Sequence, residues 1–349
     1  MQKKPKEYNY YQISQVRNVL FGIATLLIVA FHSVHLEGAS AFAAVNKIAD
    51  FFLYYGNIGV DIFLFLSGMG LYYSFSENQD VKTFYLRRGI RLLPALLVVN
   101  TAHSALLFFT KKITFWHFLS NTFLLSFFID GEDGSWFFSL LVLLYAVYPL
   151  LHKVLHAHRF AGLAAVLAII TALCVALYIF FPQRFEMYEK ALLRVYVFVA
   201  GAWMGKRIKS KVACPLRTAA IACVATVALT VFILGYFHTF LDHHIYLIRL
   251  LYCPLTIALV TLFSMLIPTS KNPVNTVLIW IGSLSCEVYL LFERADYFLY
   301  KKVSAYFPKP DFSFLYYIGL FLLVLGCAWV LSKACGVVQK KLSEKLKVR

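Results

Sequence analysis

Charge is what this chain has least of. Only 14% of its 349 residues are Asp, Glu, Lys or Arg, and just 17 of those are acidic. An average soluble domain carries about 25% charged residues and about 45–50% apolar ones. Here the apolar share is 61% and the mean hydropathy is +0.72, more apolar surface than a water-soluble globule of this size could hide. A soluble enzyme, a nucleic-acid module and a disordered tail are excluded as readings of the whole chain. No Pro/Gly/Ser-rich linker marks a soluble domain, and no internal repeat is visible. The seven cysteines, Cys174, Cys214, Cys223, Cys253, Cys286, Cys327 and Cys335, form no CxxC pair and are odd in number. Neither a disulfide framework nor a zinc site is indicated. Walker, GxGxxG, HExxH and GxSxG motifs are all missing. Met1 to Arg17 is polar and has no small-residue cleavage site before the first apolar run, so no cleavable signal peptide is expected.

What the chain does have is long apolar runs approaching the ~20 residues that cross a bilayer. They predict an all-α polytopic membrane protein of about ten spans, at 18–36, 51–75, 92–110, 136–152, 160–181, 192–205, 216–236, 246–267, 276–293 and 314–332. The sixth is short. Segment 113–129, ITFWHFLSNTFLLSFFI, is interrupted by His117, Ser120 and Asn121 and reads as an interfacial or re-entrant helix. The net charge of +16 would suggest nucleic acid only if its distribution were ignored. With the N-terminus in the cytoplasm, 22 of the 33 basic residues fall on the cytoplasmic segments 1–17, 76–91, 153–159, 206–217, 268–275 and 333–349. This follows the positive-inside rule, with both termini cytoplasmic. An extra span at 113–129 would turn the KRIKSK run at Lys206–Lys211 outward. The expected organisation is a cytoplasmic segment 1–17, a transmembrane domain 18–332 and a basic cytoplasmic tail 333–349.

Ionisable groups inside spans cost a few kcal/mol each and invite explanation. His32 lies near the outer end of span one, in LLIVAFHSVH. A neutral imidazole can take a proton from a hydroxyl, which suits acyl transfer to an alcohol. Alternatively a neighbouring span satisfies it, or it snorkels outward with His35. Asp61, in GNIGVDIFLFLSGMGLYYS, sits among glycines that allow close helix contact, and it either orients His32 or pairs with an arginine. Arg88 and Arg91, in FYLRRGIRLLP, share a face if their helix begins before Pro94. Guanidinium forks bind phosphate oxygens, so a nucleotide-bearing donor fits them. Positive-inside flanking and anionic lipid contacts are the plainer alternative. Trp136 is first an aromatic-belt residue, and IGSLSCEVYLLFER holds Ser285, Glu287, Tyr289 and Glu293.

These pieces in this order resemble the acyltransferase-3 family of integral membrane acyltransferases. The matching elements are GIATLLIVAFH, GNIGVDIFLFLSGMGLYYS, FYLRRGIRLLP and, more weakly, SWFFSLLVLLYAVYP and GSLSCEVYLL. The resemblance implies transfer of an acyl group, usually acetyl, from cytoplasmic acyl-CoA to a hydroxyl of a cell-surface or exported glycan, at a bacterial plasma membrane. His32 then matches the essential first-span histidine, with Asp61 and Glu287 as orienting carboxylates. Arg88 and Arg91 match the donor-binding element. Asp61, Ser67 and Gly68 match the second-span motif, with Ser67 and Arg17 counted on the donor side. No metal is expected, and glycan-synthesis machinery is an implied partner. Two positions depart from the family pattern. Phe21 stands where many members carry a basic residue, and Arg17, four residues earlier on the same face, is the candidate replacement. Phe292 stands where many members end a YLxH motif. A glycan exporter or transporter of the same architecture is the alternative function; broken spans in related positions of two halves would mark it.

Overall fold

The structure is a computed structural model that describes residues 6–33, 54–131, 133–157, 159–270, 272–304 and 310–346. His35 and parts of the first two expected spans lie outside the described residues. In chain order the elements are β1 (Glu7–Asn9), α1 (Tyr11–Gln15), α2 (Arg17–His32), α3 (Ile58–Glu77), α4 (Val81–Phe109), α5 (Phe115–Thr122), α6 (Ser126–Asp130), α7 (Trp136–Ala157) and α8 (Arg159–Phe180). Then follow α9 (Pro182–Leu192), α10 (Val195–Lys209), β2 (Ala213–Pro215), α11 (Leu216–Tyr236), α12 (His238–Asp242), α13 (Ile245–Leu266), α14 (Pro273–Ser283), α15 (Ser285–Ser304) and α16 (Pro310–Lys345).

The protein is an all-α polytopic membrane protein. Seven described helices are long and apolar enough to cross a bilayer, and α14 with α15 forms a bent pair that makes an eighth crossing if counted as one. The two remaining expected spans correspond to α2 and α10, which have 16 and 15 residues. Segment 113–129 folds as the separate short helices α5 and α6, of 8 and 5 residues. Thr114 caps α5 through its side chain, and Leu124 between them takes a positive φ of 63°. Such a break leaves neither piece able to span.

Three elements depart from their expected limits. α4 begins at Val81, eleven residues before the expected span, so Arg87, Arg88 and Arg91 stand on a helix and not on a loop. Arginine and leucine are good helix formers, and the helix simply outlasts the hydrocarbon. At 29 residues it is ~44 Å long, against a core of about 30 Å. α16 likewise runs on to Lys345, so the basic tail is largely a helical extension. The expected span 276–293 is broken at Leu284, where α14 and α15 meet at 69°. Gly282 and two serines surround the break, and the Ser283 hydroxyl donates back to the Trp280 carbonyl at 2.7 Å. Glycine and back-bonding serine are common causes of helix bends.

The chain divides into two compact units. Unit 1 comprises Met1–Leu20, Val60–Asp80 and Leu144–Leu278. Its centre is α10, whose Val197, Phe198, Val199, Gly201, Ala202, Met204, Gly205 and Ile208 are buried. A Cβ on Gly201 would lie 2.1 Å from the Phe65 carbonyl oxygen, and one on Gly68 would lie 2.3 Å from that of Phe198. α3 and α10 therefore touch backbone to backbone, which only glycine at these two points permits. At one end of the unit, β1 pairs antiparallel with β2. There Tyr8 is buried with its hydroxyl 2.6 Å from Ser264 Oγ, and burial pushes that hydroxyl above its ordinary pKa. Unit 2 comprises Phe21–Gly59, Val81–Leu143 and Ile279–Arg349. One hydrophobic core cluster in it joins Val29 of α2, Leu284, Val288 and Phe292 around α15, and Tyr317, Leu320, Val324 and Ala328 of α16.

Candidate active site

In unit 2 the polar side chains gather at two levels along α4 and α15. At the first level are Arg88 and Arg91. Arg88 carries its guanidinium carbon 5.6 Å from the Phe84 ring centre, while Arg91 is exposed. The Arg91 carbonyl accepts a bond from Gln339 Nε2 of α16 at 3.0 Å. Its charge also acts on Glu287 of α15, a carboxylate only 8% exposed. Glu287 is therefore grouped with the arginines.

The second level lies nine residues further along α4, at Asn100, which is ~14 Å up the helix axis from Arg91. Asn100 Oδ1 accepts from Arg294 Nη2 at 2.8 Å, and Ser135 Oγ accepts from the same nitrogen at 2.9 Å. Arg294 Nη1 donates to the Leu290 carbonyl at 2.6 Å. The guanidinium is thus fixed by neutral acceptors on three sides. Glu293, the residue before it in α15, and Asp296, two residues after it, both act electrostatically on the imidazole of His32. Asp296 is itself held by the Tyr316 hydroxyl, which donates to Oδ1 at 3.0 Å. His32 closes α2, half-buried, with its ring edge-to-face on Phe31. Among the described residues, the acidic groups that act on His32 are thus Glu293 and Asp296, both carried by α15 beyond the bend at Leu284.

Beside Arg294 a cavity of about 410 Å³ opens between α4, α15 and α16, lined by His103, Leu291, Ala295, Phe298 and Cys327 among others. His103 packs edge-on to Phe298 at 5.7 Å. Phe292, where the family pattern has a histidine, is 3% exposed and belongs to the apolar core.

Asp61, Ser67 and Arg17 belong to unit 1. Asp61 is fully buried, and its Oδ2 accepts from Arg194 Nε at 3.1 Å. Arg194 is 3% exposed and also donates to the Lys190 carbonyl. Arg249 adds its charge to Asp61 and forms its own ion pair with Glu189. Four charges of alternating sign thus run through the unit, and Asp61 has the arginine partner that one of its two sequence readings required. Arg17 packs on the bare face of Gly70, whose Cβ would stand 2.8 Å from Nη2. Ser67 is half-buried on α3, one residue before the Gly68 crossing.

A model of the acyltransferase domain matches residues 18–333, nearly the whole chain. The chain belongs to the acyltransferase-3 family. No curated protein and no solved structure matches it. As an acyltransferase-3 protein it is a multi-pass membrane acyltransferase, with an acyl donor and an acceptor to accommodate. Three residues of its candidate site, Arg294, Asp296 and Asn100, were not singled out from sequence, and Glu293 was noted without a role. The signal was there: FERAD places three charges within four residues at the end of an apolar run. Arg194 was missed because it lies at the edge of the shortest expected span.

Proposed function

We propose that the protein transfers an acyl group, acetyl in the simplest case, from cytoplasmic acyl-CoA to a hydroxyl of a cell-surface or exported polysaccharide across a bacterial plasma membrane. One observation carries this reading: the first-span histidine stands among carboxylates at one level of unit 2, and a pair of arginines occupies another level of the same unit. The acceptor hydroxyl attacks the thioester carbonyl while His32 removes its proton. The C–S bond then breaks, and the thiolate of coenzyme A leaves and is protonated. Glu293 and Asp296 orient the imidazole and stabilise its protonated form. Arg88 and Arg91 hold donor phosphates, and an extended pantetheine arm covers the ~14 Å rise between the levels. A positioned base contributes about 100–10,000-fold to such a step. The export alternative calls for paired broken spans in two halves, whereas the described residues contain one bent pair.

The test is acylation of surface glycan in cells expressing single variants. His32→Ala abolishes acylation while the protein still inserts, and His35→Ala leaves most of it. Loss with His35→Ala but not with His32→Ala would overturn the assignment, and full activity with both changed would remove the first-span base.

A further inference from the structure

Unit 1 holds a cavity that the acyl-transfer reading does not use. It measures about 290 Å³ and lies where α7 ends, α8 begins and α10 ends. One wall is aromatic: Phe160 and Trp203 stand 5.5 Å apart between ring centres. The other wall carries Lys206, Arg207 and Ser210, with His156 beside them. Arg207 lies over the Trp203 indole, its guanidinium carbon 5.0 Å from the ring centre. Stacking of this kind fixes the plane of the fork while its N–H edge stays free to donate. The His156 Nε2 atom is buried and has no hydrogen-bond partner. Leu155 and Val212 complete the apolar floor, and among the described lining residues none is acidic.

A concentrated positive wall facing an aromatic wall asks for an anion with an apolar body. The position narrows the choice. All three contributing helix ends belong to apolar helices at the level where Lys and Arg take over from Leu and Val, which is the depth of phospholipid head groups. We propose that this cavity binds the phosphate of an anionic membrane phospholipid. Lys206, Arg207 and the Ser210 hydroxyl donate to the phosphate oxygens, and the glycerol and upper acyl carbons lie on Phe160 and Trp203. A lipid seated here ties three helix ends together and stabilises the folded protein by mass action.

The probe is dioleoyl-phosphatidylglycerol, added to the delipidated full-length protein in detergent and followed by thermal unfolding and by native mass spectrometry. Phosphatidylglycerol raises the Tm and persists as a bound adduct, whereas phosphatidylcholine does neither. Lys206→Gln with Arg207→Gln weakens the apparent affinity at least tenfold, since charge-assisted bonds to phosphate are lost. Lys340→Gln with Lys341→Gln removes the same charge from α16 and leaves the response intact. Trp203→Ala weakens binding without changing charge and serves if the double variant folds poorly. Equal responses of wild type and the Lys206/Arg207 variant would overturn the site. Loss of the response in the Lys340/Lys341 variant would reduce it to general electrostatics. Inorganic phosphate or coenzyme A displacing the lipid at matched concentration would assign the cavity to a soluble phosphate ligand instead.

Discussion

A carboxylate in the hydrocarbon region is tolerated only with a partner, and the partner decides what it can do. Asp61 has Arg194, with Arg249 and Glu189 extending the chain of charges. Removing one member of such a buried pair leaves an uncompensated charge and costs about 3–5 kcal/mol. Arg194→Ala is therefore expected to destabilise the protein by that order, and Asp61→Ala with Arg194→Ala by less than the two single changes together. Thermal unfolding in detergent measures both. If Asp61→Asn left stability untouched yet abolished acylation, the carboxylate would have to act in the chemistry. The Arg91 guanidinium is exposed and tests the donor side. Each charge-assisted bond to phosphate is worth about 1.5–3 kcal/mol. Arg91→Ala should then weaken acyl-CoA binding at least tenfold, and Arg91→Lys should recover only part, since ammonium lacks the bidentate fork. Normal thioester binding by both variants would leave Arg91 as a topology signal or a lipid contact.

At the scale of the helices, the glycines where α3 crosses α10 are packing devices. Gly68 and Gly201 each admit a carbonyl oxygen of the facing helix where a methyl would overlap it. Backbone cannot swing aside as a flexible side chain can, so Gly201→Ala is expected to cost at least the ~1–3 kcal/mol typical of overpacking. Gly235→Ala, where a Cβ meets nothing within 4 Å, serves as the control. Similar melting temperatures for the two variants would contradict a backbone-to-backbone crossing. Hydropathy located most helices because an apolar run long enough to cross a bilayer is a local property. Their ends were less legible: α4 and α16 continue through charged residues that favour helix as readily as leucine does. The bend at Leu284 was invisible to any sum over residues, because hydropathy carries no direction. The acidic groups that act on the histidine lie on α15 beyond that bend and were hidden as well. Glu293 and Asp296 lie more than 250 positions along the chain from it, and nothing local pairs them.

For the whole molecule the decisive question is which loops share a side. Within unit 1 the basic segments meet. β1 of the N-terminal segment pairs with β2, and the Lys211 ammonium sits 5.1 Å from the Tyr11 ring centre. Lys209 bonds Ser76 and Glu77 at the end of α3. Lys206 shares a cavity with His156 at the end of α7, and Tyr8 reaches Ser264 near the end of α13. Each pair of successive segments must then be joined by an even number of crossings. Between His156 and Lys206 the chain has α8, the amphipathic α9 and α10, so the 15-residue α10 has to return across the bilayer despite its ~22 Å length. Between Glu77 and His156 it has α4 and α7, which leaves no crossing for segment 113–129. The excess of basic residues on these shared segments is the reason to expect them in the cytoplasm. Reporter fusions after Asp80, Ser210 and Arg349 are accordingly expected to give cytoplasmic signals, and fusions after Gly131 and Gln183 external ones. An external signal after Ser210 with a cytoplasmic one after Asp80 would break the even count, and with it the assignment of α10 as a crossing helix.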